Sequence, residues 1–168
     1  VIVDVFGADH MDAYPDVIAA IKSLDYDSDK IKVLIHQFVT VLKNGEPVKM
    51  STRKANFISL DSLIDEVGAD VTRFFFVMRS MNTHLNFDLD LAKEQSDANP
   101  VFYIQYAHAR CCNMLRRFEG DLDSIDESSL EHLKLDIETQ LINKLLTFPE
   151  VIRKSSQTLE PQNISNYL

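Results

Sequence analysis

The stretch PVFYIQYAHARCCNMLRRF, residues 100–118, commits a large part of the chain to helix. Val101, Ile104, His108, Cys111, Leu115 and Phe118 recur at alternating spacings of three and four, the signature of one helical face, and Asn99-Pro100 supplies a favourable start. His108 breaks the apolar stripe, and a satisfied core histidine is its simplest reading. Tyr103, Tyr106 and Arg110 occupy another face of the same helix. Packing is the plainer expectation for them, and stacking on RNA the alternative.

Further helices follow. An acidic run, EGDLDSIDESS, reads as a solvated loop, and in LDIETQLINKLLTFPEVIRK the residues Ile137, Leu141, Leu145 and Phe148 keep one face apolar. A last helix is expected to begin at Pro161. Helices joined by short links imply a bundle.

Upstream the pattern changes. VIVDVFGADH opens as a buried strand, Val1 to Phe6, ended by a Gly turn, and its partner strands are expected outside this chain. PDVIAAIKSL spaces Val17, Ile18, Ile21 and Leu24 as a helix after Pro15. KIKVLIHQFVTVL is β-branched and ends at Asn44-Gly45, so it reads as one strand entering a hairpin. LDSLIDEVG and ADVTRFFFVMRS read as two short helices split at Gly68, with Asp70 as N-cap of the second and Phe74, Phe75 and Phe76 as core or interdomain surface. From Asp88 onward the chain is expected to be helical throughout. The fold class is therefore mainly α with a small α/β part.

Composition excludes several classes. No apolar run exceeds five residues, against roughly 20 for a membrane-spanning helix, so no membrane partner is expected. Cys111 and Cys112 are adjacent, a spacing for neither a disulfide framework nor zinc, which points to a reducing cytoplasm and no structural metal. The formal net charge of -9 argues against sequence-independent coating of nucleic acid. It is unevenly spread: residues 119–168 hold four Lys/Arg and ten Asp/Glu, leaving the middle of the chain close to neutral.

Against that background KNGEPVKMSTRKAN, residues 43–56, gathers Lys43, Lys49, Arg53 and Lys54, with no carboxylate between Glu46 and Asp61. Cations beside the hydroxyls of Ser51 and Thr52, just past a hairpin, are charge-assisted donors suited to a phosphate chain. A solvated basic loop is the bland alternative. Gly7, Ala8, Asp9 and His10 lie where ligands gather in open α/β sheets, at the carboxyl end of a strand.

The string KMSTRKAN resembles the second signature of class I aminoacyl-tRNA synthetases, Lys-Met-Ser-Lys-Ser, in the extended form of the arginyl-tRNA synthetase family. VFGADH resembles that family's Gly-Ala-Asp-His strand end. FISLDSLIDEVGADVTRFFFVMRS and HLNFDLDLAKEQSDANPVFYIQYAHAR resemble the segments that follow the signature and cross into the anticodon-binding bundle. The likeness spans about residues 1–118; beyond them it is one of helical pattern. Thr52 stands at the second signature lysine, Ala55 replaces the usual Gly, and Met11-Asp12 departs from the family's His-Gly.

The resemblance implies the C-terminal end of a Rossmann-type class I catalytic fold in residues 1–84, followed by an incomplete helical anticodon-binding domain in residues 85–168. It implies an ATP-dependent arginine–tRNA ligase, with tRNA(Arg), arginine and ATP as partners, Mg2+ accompanying the ATP, and a monomer. Lys49, Ser51, Arg53 and Lys54 would then be catalytic, and Gly7, Asp9, His10 and Met50 would bind the nucleotide or amino acid. The family's His-x-Gly-His signature is not in this sequence, so the chain is expected to be part of a longer protein and inactive alone. Two alternatives are a non-catalytic tRNA-binding or scaffolding homologue and another class I synthetase.

Overall fold

The computed structural model describes residues 1–50 and 57–168, which form two compact units, Val1–Lys93 and Glu94–Leu168.

In the first unit β1, Ile2–Gly7, leads through a 3-10 turn at Ala8–His10 into α1, Tyr14–Ser23, with Pro15 in its first turn. The chain returns as β2, Ile31–His36, which pairs with β1 in parallel from Ile2 opposite Ile31 to Gly7 opposite His36. So β1 has one partner strand within the chain, contrary to the expectation that all lay outside it.

The segment read as a single strand is two. After β2 the chain leaves the first sheet at Gln37-Phe38 and begins β3, Val39–Lys43, in a second sheet. Local hydrogen bonds make the switch: the Gln37 N–H donates to the Met81 carbonyl at 2.8 Å, and the Leu85 N–H donates to the Phe38 carbonyl at 3.1 Å. The expected hairpin is present, because β3 turns through Asn44 and Gly45 into the short antiparallel strand β4, Glu46–Pro47. Both turn residues have positive φ, 53° and 74°, as a two-residue hairpin of this type requires.

Two helices follow, α2, Leu60–Val67, and α3, Ala69–Val77. Ser59 caps the first by accepting from the Ser62 N–H at 3.1 Å. Gly68 divides them at φ 87°, a value that favours glycine, and is itself the N-cap of α3, so Asp70 lies inside the first turn and not at the cap. The chain then forms β5, Leu85–Asp88, parallel to β3, before α4, Leu89–Lys93. β5 is a strand that the helical pattern downstream had concealed.

The core of this unit lies on β3 and β5. Phe87 is fully buried, with the Phe75 and Phe76 rings at centroid distances of 5.2 and 5.8 Å, and Val41, Leu63, Leu85 and Leu89 complete it. Of the Phe triple, Phe75 is buried in this core and Phe74 and Phe76 are half-buried.

The second unit starts with α5, Pro100–Arg117, whose buried Asn99 side chain accepts from the Val101 N–H at 3.0 Å. The acidic run is exposed and forms two 3-10 turns. The long amphipathic segment is divided at Thr147 into α6, Asp136–Leu146, and α7, Phe148–Thr158, because Pro149 suits a first turn and not a helix interior. Then α8, Gln162–Tyr167, follows Pro161 and packs on α7. Tyr167 ties it back, its hydroxyl donating to the Lys144 carbonyl at 2.9 Å and its ring 5.2 Å from that of Phe148. Among the described residues the chain is mainly helical, as expected, with two small sheets, though Ile137, Leu141 and Leu145 are exposed.

Candidate functional site

The residues singled out in the sequence fall on three features. Gly7, Asp9 and His10 share the carboxyl end of β1. The Asp9 carboxylate folds back over Gly7, where a Cβ would meet its Oδ1 at 2.5 Å, and Asp9 Oδ2 lies 3.7 Å from His10 Nε2. Both side chains are more than half exposed, so they are presented to solvent and not committed to the core. The His10 ring leans on Phe6 at a centroid distance of 5.6 Å. Beneath it a mostly apolar cavity of about 170 Å³ lies between α1 and the sheet, bordered by Asp4, Phe6, His10, Tyr14, Ile18 and Val33. His36, not considered from sequence, stands opposite Gly7 at the end of β2; with β2 and β3 read as one strand, its place at a strand terminus was not legible.

Lys49 and Met50 follow a different sheet, in the exposed coil after β4. Ser51, Arg53 and Lys54, together with Thr52 and Ala55, lie outside the described residues. What the structure does describe is how both flanks of that segment are held. The Asn44 N–H, at the hairpin turn, donates to the Asp90 carboxylate of α4. Glu66, near the end of α2, accepts from Lys93 of α4 at 2.5 Å. Lys93 bonding to Glu66 holds the carboxyl below the ordinary glutamate range, with Lys43 adding to the effect and partial desolvation opposing it. Among the described residues no three His, Cys, Asp or Glu side chains are grouped to hold a metal ion.

The third feature is the exposed face of α5. Tyr103 and Tyr106 are 57% and 52% exposed, so neither is buried in the core of the unit. Arg110 donates from Nη1 to the Tyr106 hydroxyl at 3.1 Å, and its guanidinium carbon lies 5.7 Å from the centre of that ring. Phe102 stacks on the same ring, 6.4 Å away and inclined by 12°. These are i,i+4 neighbours along one helix, and together they fix an aromatic surface beside a cation. One turn on, His108 is exposed and within 3.5 Å of Cys112 Sγ, which corrects its assignment to the core.

A cationic, aromatic helix face suits single-stranded RNA, whose unstacked bases lie on aromatic rings and whose phosphates attract guanidinium groups. The class is defined by a match of residues 104–168, which take in most of α5 and all of α6 to α8, to the DALR anticodon binding domain. Over nearly its whole length the chain is similar to arginine–tRNA ligases. It is 54% identical over 167 residues to an arginine–tRNA ligase of Salinibacter ruber and 57% identical over 173 residues to that of Chlorobium phaeobacteroides. Each match takes in 99% of this chain and only 30% and 31% of the relative's length. Among solved structures, an arginyl-tRNA synthetase assignment from Campylobacter jejuni superposes with a TM-score of 0.85 at 32% identity, over 98% of this chain and 36% of that one. The Thermus thermophilus arginyl-tRNA synthetase gives 0.76 at 22% identity, over 98% and 30%, and shows the fold alone. No helix among the described residues is long and apolar enough to cross a membrane.

Proposed function

We propose that the protein to which these residues belong is an arginine–tRNA ligase, which joins arginine to ATP as an adenylate with release of pyrophosphate and then transfers arginine to tRNA(Arg). The observation that carries this is identity of 54% and 57% to arginine–tRNA ligases across 99% of the chain. In this reading residues 1–84 are the end of a Rossmann-type catalytic domain, of which β1, α1 and β2 are one parallel unit. Residues from 85 onward lead into the anticodon-binding domain; the compact units divide slightly later, after Lys93.

Lys49, Ser51, Arg53 and Lys54 would contact the phosphates of ATP. Cations fixed where pyrophosphate charge builds up stabilise the transition state more than the bound substrate, so they act on rate. Mg2+ would enter with the ATP phosphates. Met50 would flank the nucleotide, and Gly7, Asp9 and His10, exposed at the end of β1, would meet adenosine or arginine. Tyr103, Tyr106 and Arg110 would receive anticodon bases. A monomer in the cytoplasm fits this role, with Cys111 and Cys112 as free thiols.

The test is arginine-dependent ATP–pyrophosphate exchange in the full-length protein with tRNA(Arg) present, against residues 1–168 alone. Exchange by the full-length protein and none by the fragment is the expected result. A full-length protein that binds tRNA without exchange would overturn the ligase assignment in favour of a non-catalytic tRNA-binding homologue.

A further inference from the structure

We propose that the cavity between α1 and the sheet of β1 and β2 is a binding site for a small organic cation, an amidinium or ammonium group on a compact apolar body, with Asp4 as its counter-ion. The ligase reading gives this cavity no role; its shape and its charge together select the occupant.

Strand alternation sends Asp4 and Phe6 to the face of β1 that α1 covers, and the parallel register sets Val33 of β2 beside Asp4. Tyr14, Ile18 and Ile21, at helical spacing on α1, supply the opposite wall. A helix on a sheet ordinarily closes to the density of an organic crystal, with few voids larger than a water molecule. Here about 170 Å³ stays open. Pockets for drug-sized molecules begin at roughly 300 Å³, so the fitting ligand is a smaller one. The Phe6 and His10 rings, with centroids 5.6 Å apart, make an aromatic corner that favours a flat apolar body.

Charge decides which small molecule enters. Asp4 is half-buried, and among the described residues its carboxylate forms neither an ion pair nor a hydrogen bond. No Lys or Arg among the described residues borders the cavity, and His10 lies with its Nε2 3.7 Å from Asp9 Oδ2. A carboxylate facing an apolar space is costly until a counter-charge or donors reach it. An amidinium meets that need with two parallel N–H donors, while its apolar body lies against Phe6, Ile18 and Val33. Gly7 and Asp9 do not border the cavity, which lies below the strand end and shares only His10 with it.

The probes are benzamidine and benzamide, which share a shape and differ in charge. Full-length protein labelled with carbon-13 at its isoleucine methyl groups is titrated with each, with and without saturating L-arginine. The expected result is a saturable shift of the Ile18 and Ile21 methyl resonances by benzamidine, at a Kd on the order of 1 mM or below. Benzamide should bind roughly 10- to 100-fold more weakly, the range for a hydrogen-bonded charge, and L-arginine should not displace benzamidine. Asp4→Asn should erase the difference between the probes, and Ile18→Phe, which fills the space, should weaken both; melting temperatures show that each variant is folded. Comparison of the two probes on the unaltered protein stands even if a variant does not fold. Equal affinity for both probes, or no shift of these methyls by either, would overturn the site. Displacement of benzamidine by L-arginine would also overturn it, by placing the probe where the amino acid binds. Undiminished benzamidine binding by a folded Asp4→Asn protein would do the same, since the counter-ion would lie elsewhere.

Discussion

Replacing Tyr106 by alanine tests the RNA-facing reading of α5 most directly. Tyr106 is 52% exposed, with the Phe102 ring at 6.4 Å and the Arg110 guanidinium at 5.7 Å from its ring, so it is oriented before any ligand arrives. A base stacked on such a ring is worth about 1–3 kcal/mol by alanine substitution. At about 1.4 kcal/mol per factor of ten, this is roughly a 5- to 150-fold rise in Kd for an anticodon stem-loop. Stability should change by no more than about 0.5 kcal/mol, since the site is on the surface. Tyr106→Phe keeps the stacking ring and loses only the acceptor for Arg110, so it should weaken binding less. Arg110→Ala should weaken binding and lower the salt slope by about one counterion. Fluorescence titration of the full-length protein with labelled stem-loop at several salt concentrations, beside thermal melts, reads all of these. A Tyr106→Ala protein that melts earlier yet binds RNA as before would refute the argument and return these rings to a packing role.

Lys49→Ala should lower kcat for activation by roughly 10²- to 10³-fold, the range for losing one preorganised charge-stabilising donor, with little change in KM for arginine. Arg53→Ala should be nearly as damaging and Thr52→Ala mild, because water replaces a hydroxyl but not a guanidinium; pyrophosphate exchange ranks the three. Phe87→Ala should cost about 3–5 kcal/mol, as for other buried Phe truncations, read as lost amide protection in β3 and β5 by hydrogen exchange. The folded Glu66 carboxyl is held below its ordinary range, so its contribution to stability is present at neutral pH and lost as pH falls through the lowered value. Glu66→Gln should flatten that acid limb in pH-dependent unfolding.

The helices were legible where periodicity and caps agreed. Asn99-Pro100 before the α5 stripe, Pro15 in α1 and Pro161 before α8 all stand at helix starts. The hairpin was legible because Asn44-Gly45 fixes backbone sign and not only hydrophobicity. The sheet switch at Gln37-Phe38 was not, since β2 and β3 carry the same β-branched composition and only pairing with distant strands separates them. β5 was written as an alternation of Leu85, Phe87 and Leu89 with polar neighbours, a period-2 signal masked by the charged helical residues after it. At the site, spacing put Tyr106 and Arg110 on one face but could not say whether that face was open. Exposure depends on what other elements cover, which no local pattern encodes.

The sheet switch also explains why a core substitution should reach the signature. Gln37 and Phe38, where the chain leaves β2, are hydrogen-bonded to Met81 and Leu85, so the start of β3 and the start of β5 are fixed to each other. From there the two strands run parallel, and they end together at Leu42 and Asp88. β3 delivers the hairpin turn and β5 delivers α4, whose Asp90 receives that turn. The position of Lys49 is therefore set relative to strands packed around Phe87 and not by the hairpin alone. Loosening that core would move the turn and its Asp90 acceptor together only if the pair stayed intact; where it parts, Lys49 loses its upstream anchor. Phe87→Ala should accordingly depress kcat for pyrophosphate exchange by more than it changes RNA affinity, at temperatures where the protein remains folded. Equal losses in both would mean that the damage is global, and that the β3–β5 pair does not specifically position the signature.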